Sequence, residues 1–256
     1  MSLEIHLPHG FDWEYWVERF EKMQKRYLVR WEERFEIIVE VLKSQDNKNS
    51  LIIDLGCGTG SLTERILRAS DRYEVIAIDF DPTLLVLAEA RLTKYGQRVK
   101  IIQQDLRDKS WTNNIQRKVD AVISATALHW FSPEQLSELY KQIAYVLRPG
   151  GIFLNADHAA SNSPTIQKTW EKHREIIRLK EKHSEGDSWS EFFEAYGKAL
   201  GTNLDTIRQN IVGEWVAIEE GLPLAWHFDR LREFGFASVD CFWRCNCDAI
   251  YGGIRA

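Results

Sequence analysis

Leu51-Ile52-Ile53-Asp54-Leu55-Gly56-Cys57-Gly58-Thr59-Gly60-Ser61 is the stretch whose reading decides the fold. The run from Leu51 to Leu55 is apolar almost throughout, without the alternation of a half-exposed strand, and this is the pattern of a buried parallel strand. It ends in three glycines at every second position, and the amphipathic segment Leu62 to Leu67 behind them predicts a helix. Glycine lets the backbone bend sharply and lets a ligand come closer than a Cβ permits. Nineteen residues after Gly60, Asp79 closes a second apolar run, Val75-Ile76-Ala77-Ile78. A carboxylate at that position is placed to accept two hydrogen bonds from a ribose diol. Strand, glycine turn, helix, strand and acid together predict a nucleoside-binding βαβ unit.

The spacing narrows the nucleoside. A dinucleotide fingerprint has its third glycine where this chain has Ser61. The pattern here, Asp54-x-Gly56-x-Gly58-x-Gly60, resembles the first motif of class I S-adenosylmethionine (SAM) methyltransferases. The resemblance continues through Asp79, Gln104-Asp105-Leu106, Ala127-Leu128-His129-Trp130 and Leu147-Arg148-Pro149-Gly150-Gly151, and covers roughly residues 30–158. It implies an α/β fold: a doubly wound, seven-stranded, mostly parallel sheet with an antiparallel last strand. It implies SAM as cofactor and S-adenosylhomocysteine as product. The cofactor contacts it implies are Asp54, Gly56, Gly58, Gly60, Asp79, Phe80 and Ala125, with Asp105 on the adenine amino group and the backbone N–H of Leu106 on a ring nitrogen. Glu33-Arg34 resembles the Glu-Arg pair of trans-aconitate-type methyltransferases, in which the arginine holds the methionine carboxylate. The same role is implied for Arg34, with Arg30 as the alternative; a planar guanidinium suits a carboxylate.

Composition bounds the partners. A chain of 256 residues can bury the core of one α/β domain. A net charge of −5 supplies no general attraction to nucleic acid or to an anionic membrane. The cations between Lys22 and Arg30 alternate with Met23, Tyr27 and Leu28, which fits a solvated helix face. No apolar run approaches the roughly 18–20 residues of a membrane span. Residues 1–15 carry Glu4, Asp12 and Glu14 and do not read as a signal peptide, so a cytoplasmic protein is expected. Cys57 sits in the glycine turn, and Cys241, Cys245 and Cys247 sit in a terminal aromatic strand pattern. They lack the second ligand pair of a zinc finger, so no metal is expected.

One domain in four parts follows: an N-terminal helical cover (1–44), a SAM-binding core (45–158), a helical lid (159–221), and a closing helix with antiparallel strands (222–256). From Phe11 to Leu42 apolar residues recur every three or four positions, as one long helix or two meeting at a bend. The lid follows the fifth strand, falls over the ligand edge of the sheet, and carries Trp170, Trp189 and Trp215. His129 and His158 follow the fourth and fifth strands and are the candidates for substrate contact or general-base work.

The expected function is transfer of the SAM methyl group by in-line displacement to an oxygen or nitrogen of a small molecule, a carboxylate included. A nucleic-acid amino-methyltransferase would carry an Asn/Asp-Pro-Pro-Tyr/Phe motif where this chain has Ala127-Leu128-His129-Trp130. A protein or nucleic-acid methyltransferase and a non-catalytic SAM-binding protein are the competing readings. The oligomeric state is not legible in the sequence.

Overall fold

In the computed structural model, which describes residues 5–45, 50–180, 186–204 and 221–256, the run Ser50–Leu55 forms strand β1 and is buried at every position. A strand covered on both faces must lie inside a sheet with helices on either side. Tyr73–Asp79 (β2) and Val119–Ala125 (β4) flank it in parallel register. Val99–Gln103 (β3) extends the sheet beyond β2, and Leu147–His158 (β5) extends it beyond β4. Phe236–Cys245 (β6) and Asp248–Arg255 (β7) complete the order β3-β2-β1-β4-β5-β7-β6. β7 is antiparallel to both β5 and β6, so β6 runs with the first five strands. The seven-stranded sheet is the expected one, with its last strand reversed and the two closing strands antiparallel to each other. The chain order changes direction between β1 and β4, and ligands of such sheets bind beyond the carboxyl ends of the strands at that point.

The long N-terminal periodicity resolves into two helices. Asp12 caps Trp13–Tyr27 (α1) by accepting from the Tyr15 N–H at 3.0 Å. Leu28 is extended and Arg30 adopts a left-handed φ of 54° before Trp31–Ser44 (α2) begins. Ser61–Ala69 (α3), Pro82–Leu92 (α4) and Pro133–Val146 (α5) follow strands as expected, and α5 opens with a capping box on Ser132 and Gln135. Pro164–Lys180 (α6), Trp189–Leu200 (α7) and Leu224–Glu233 (α8) complete the described helices. Of the expected lid, α6 and α7 fall among these residues; residues 205–220, with Trp215, lie outside them. No helix among the described residues is long and apolar enough to cross a membrane.

Two apolar clusters fill the two faces of the sheet, and a third joins the cover to α4. In the third, Trp16 and Phe20 of α1 meet Phe192 of α7 at ring distances of 5.9 and 5.4 Å. The Tyr196 hydroxyl of α7 donates to the Thr83 carbonyl at 2.7 Å, and the Arg19 guanidinium grips the Asp187 carboxylate, with one contact at 3.1 Å. The cover is thereby packed onto the carboxyl edge of the sheet as core. α6 is different: Gln167 is its one buried residue, and Trp170 lies under the Arg244 guanidinium at 4.3 Å.

The reversed strand depends on Gly252, which pairs with Leu154 of β5. A Cβ there would stand 1.8 Å from the Phe153 carbonyl oxygen, a backbone atom that cannot move alone. Gly252→Ala is therefore expected to lower stability by about 3 kcal/mol in urea unfolding; a loss below about 1 kcal/mol would mean that β7 can shift in register.

Candidate active site

The three glycines of the turn all adopt left-handed φ: 71° at Gly56, 54° at Gly58 and 76° at Gly60. Their surroundings differ. A Cβ on Gly56 would lie 2.3 Å from Ala127 Cβ, and one on Gly60 would lie 2.8 Å from Leu92 Cδ1, so packing demands glycine at both. Around Gly58 nothing comes closer than 4.0 Å. That space belongs to a cavity of about 430 Å³ at the carboxyl ends of β1, β2 and β4, roofed by α1, α2 and the start of α7. Its volume is in the range of small-molecule sites, roughly 300–1,000 Å³.

Asp79 joins two of the cavity's loops. Its Oδ2 accepts from the Gly58 N–H at 2.8 Å and its Oδ1 from the Asp81 N–H at 2.9 Å. Each oxygen keeps a lone pair for a further donor. Asp54, at the end of β1, accepts from the Thr63 hydroxyl at 2.6 Å. Burial pushes the Asp54 carboxyl up to about 7, with the nearby Asp79 adding to the effect, and burial pushes Asp79 itself up to about 6. Asp54, Asp79 and Asp81 all line the cavity, and among the described lining residues there is no Lys, Arg or His. The site favours a ligand that carries positive charge.

Two donors in the wall await a partner. Thr59 Oγ1 in the glycine turn and Trp31 Nε1 at the start of α2 are buried without hydrogen bonds. An unpaired buried group of this kind costs roughly 1–3 kcal/mol, and both atoms are closed to solvent in this structure.

Of the residues expected at the cofactor, Asp54, Gly56, Gly58, Asp79, Phe80, Leu106 and Ala125 line this cavity. Gly60 stands behind the turn, against Leu92. Asp105 is held by its neighbour: Arg107 donates to it from the backbone at 2.8 Å and from the guanidinium at 2.6 Å. Arg34 is not in the wall. α2 turns Trp31 and Phe35, four residues apart, toward the cavity and carries Arg34 onto the adjacent face, buried 3.8 Å from Asp248. Arg30, the alternative, pairs with Glu33 at 3.0 Å.

His129 and His158 are brought together, with ring centres 5.2 Å apart, but behind the main cavity. They line a second, much smaller one that shares Phe131 with the first. Asp157 lies between them: its Oδ2 accepts from the His129 N–H at 3.0 Å and its Oδ1 from the His158 N–H at 2.9 Å, and the His129 Nδ1 is 2.8 Å from Oδ1. Phe20, Trp31 and Phe35 of the cover were legible only as helix-face residues, because a side chain facing a cavity and one facing the core have the same spacing. Of the two lid tryptophans among the described residues, Trp189 reaches the wall.

Residues 52–151 match a family described as a methyltransferase domain. The malonyl-[acyl-carrier protein] O-methyltransferase of Priestia megaterium is 26% identical over 145 residues, which is 56% of this chain and 49% of that protein. The demethylmenaquinone methyltransferase of Leptospira interrogans is 29% identical over 163 residues, 59% of this chain and 63% of the relative. The chain thus spans between half and two thirds of the length of these curated relatives. Human N-acetylserotonin methyltransferase, solved in complex with SAM, shares the fold with a TM-score of 0.53 at 14% identity, over 88% of this chain and 53% of that one.

The raised carboxyls give the ligand-free protein a pH signature. The folded state holds protons on Asp54 and Asp79 at pH values where the unfolded chain, with carboxyls near 4, has lost them. Their contribution to stability is full below about pH 4 and is lost as pH rises through 6 and 7. Asp54→Asn removes one of the two. Between pH 5 and 8 the variant is expected to gain a few kcal/mol on the wild type in urea unfolding; a difference constant with pH would mean that Asp54 ionises normally.

Proposed function

We propose that this chain, whose residues 52–151 match a methyltransferase domain, is a class I methyltransferase that binds SAM in the cavity beneath α1, α2 and α7 and directs its methyl group to an oxygen or nitrogen of a small molecule. The observation that carries this is an acidic cavity, with Asp54, Asp79 and the open space at Gly58 on one wall and no cation among its described lining residues. Bound there, SAM supplies a methyl group on a positively charged sulfur. The side chains present fit such a ligand. Asp79 accepts from the ribose diol with the lone pairs that Gly58 and Asp81 leave free. Leu106 presents its backbone N–H to the adenine, and Phe80 lies along the same wall. Asp105, engaged by Arg107, stiffens the turn that carries Leu106. Gly60 packs the turn onto Leu92, and Ala125 keeps the end of β4 small.

The methionine carboxylate falls to neutral donors. Trp31 Nε1 and Thr59 Oγ1 are buried, unpaired and in the wall, whereas the Arg34 guanidinium lies against Asp248. The chain's contribution to transfer is alignment and dryness. Holding two reactants in line contributes up to roughly 7–11 kcal/mol. Phe20, Trp31, Phe35, Trp130 and Trp189 close the site to water. With acids on one wall and no described cation, an uncharged acceptor is better accommodated than a carboxylate. The packing of α1 and α7 over the opening favours a small acceptor over a protein or nucleic acid.

Calorimetric titration with S-adenosylhomocysteine tests the proposal, with one site per chain expected and no heat from NAD. Absence of binding would remove SAM from the cavity. Asp79→Asn should weaken S-adenosylhomocysteine by about tenfold or more, the loss of a charged hydrogen-bond acceptor. Trp31→Phe keeps an aromatic ring and deletes the N–H. It is expected to weaken S-adenosylhomocysteine while leaving 5′-methylthioadenosine, which lacks the amino-acid moiety, unchanged; equal losses would take Trp31 off the carboxylate.

A further inference from the structure

The small cavity behind Phe131 has a volume of about 10 Å³, room for one water-sized atom. Its polar lining is five side chains: His129, Asp157, His158, His227 and Tyr251, whose hydroxyl is engaged by Asn155 and Tyr140. One nitrogen or oxygen from each of His129, Asp157 and His158 lies within 4.8 Å of the other two. The surroundings hold these groups in place. The His158 Nδ1 is 2.9 Å from Oδ1 of Asp248, a fully buried carboxylate, and this leaves Nε2 of His158 as the ring nitrogen for a metal. Metal-binding histidines are typically oriented in this way, by a carboxylate on the other ring nitrogen. His227 is 2% exposed; its Nδ1 is 2.7 Å from the Tyr140 hydroxyl, and its Nε2 has no partner. Asp248 Oδ2 is also buried and unpaired.

We propose that this one-atom cavity is a site for a divalent transition-metal ion, with His129, Asp157 and His158 as protein ligands and one coordination position left open. Two imidazoles and one carboxylate suit zinc, cobalt or nickel, whereas magnesium and calcium require more oxygen ligands. Three protein ligands and one open position is the coordination zinc takes at non-structural sites. The second observation is the buried Asp248, which holds the His158 ring through Nδ1 as a carboxylate does behind a metal-bound histidine. The ion would pin the loop after β4, whose Thr126 and Ala127 line the main cavity, to the end of β5. The cavity is separate from the one assigned to SAM, so this site stands whether or not SAM binds.

The test uses the full chain, stripped with a chelator and free of SAM and its product. Calorimetric titration with zinc is expected to give one site of micromolar affinity or tighter, and titration with magnesium none. His129→Gln and His158→Gln should each weaken zinc by about 100-fold, and Asp248→Asn by about 10- to 100-fold through the loss of ring orientation. Circular dichroism at the titration temperature identifies any variant that fails to fold. The cobalt-loaded wild type then decides the ligand set without substitution: visible bands of a tetrahedral nitrogen–oxygen site are expected, with no thiolate charge-transfer band. Failure to bind zinc or cobalt, unchanged affinity in both histidine variants, or a thiolate band pointing to Cys245 and Cys247 would each overturn the assignment.

Discussion

The Asp79 carboxylate, with one oxygen on the Gly58 N–H and the other on the Asp81 N–H, is the interaction on which the site depends. A parallel sheet ends in loops whose backbone groups have no ladder partner, and this side chain satisfies two of them at once. It holds the glycine turn after β1 against the loop after β2. The position of the turn then fixes where α3 starts and leaves the space at Gly58 open. The same burial that makes the two hydrogen bonds effective raises the carboxyl toward 6, because no cation stands near enough to compensate. Geometry and charge of the cavity thus have one origin.

The cavity wall is an unfavourable surface for an empty protein: it combines Asp54 and Asp79 pushed up by burial with a hydroxyl and an indole N–H that lack partners. Such a wall persists because the rest of the fold over-determines it. The sheet contributes a core on both faces. The cover contributes a third, in which Trp16, Phe20, Phe192 and Tyr196 pack ring against ring. Phe20 belongs both to that cluster and to the cavity, so the residues that stabilise the cover also exclude water from the site.

How much of this was legible in the sequence follows from which constraints are local. The βαβ unit was, because a buried strand, a glycine turn and an amphipathic helix each have a period or a composition of their own. The spacing predicted three ligand glycines. The structure gives them two duties: Gly56 and Gly60 yield to Ala127 and Leu92, residues far along the chain, and only Gly58 is left bare. Arg34 shows the limit more sharply. A Glu-Arg pair can be matched in sequence, but which face of α2 meets the cavity depends on how the helix packs, and a rotation of one residue puts Trp31 and Phe35 there instead. The reversed last strand was legible from the resemblance, whereas how closely it approaches β5 was not. That approach rests on Gly252, whose missing side chain lets β7 lie against the Phe153 carbonyl. Asp105 was read for its position after β3, and Arg107 two residues on competes for it.

A second aspartate repeats the device at the other end of the site. Asp157, at the carboxyl end of β5, accepts from the backbone N–H of His129 at 3.0 Å and of His158 at 2.9 Å, as Asp79 does from Gly58 and Asp81. It fixes the loop after β4, where Thr126 takes a left-handed φ of 52° that a threonine seldom adopts. The two carboxylates differ in what surrounds them. Burial raises both, but Asp157 has His129 and His158 beside it and is drawn well below the ordinary carboxylate range, whereas Asp79 has acids for neighbours and rises. A histidine-lined pocket and an acidic one without a described cation therefore stand on either side of Phe131, built from the same pairing of a strand-end aspartate with loop N–H groups. The fold fixes where each carboxylate sits, and the side chains brought beside it, Asp81 at Asp79 and His129 with His158 at Asp157, set its charge. Sequence changes in those neighbours alone would therefore re-tune either pocket without disturbing the sheet.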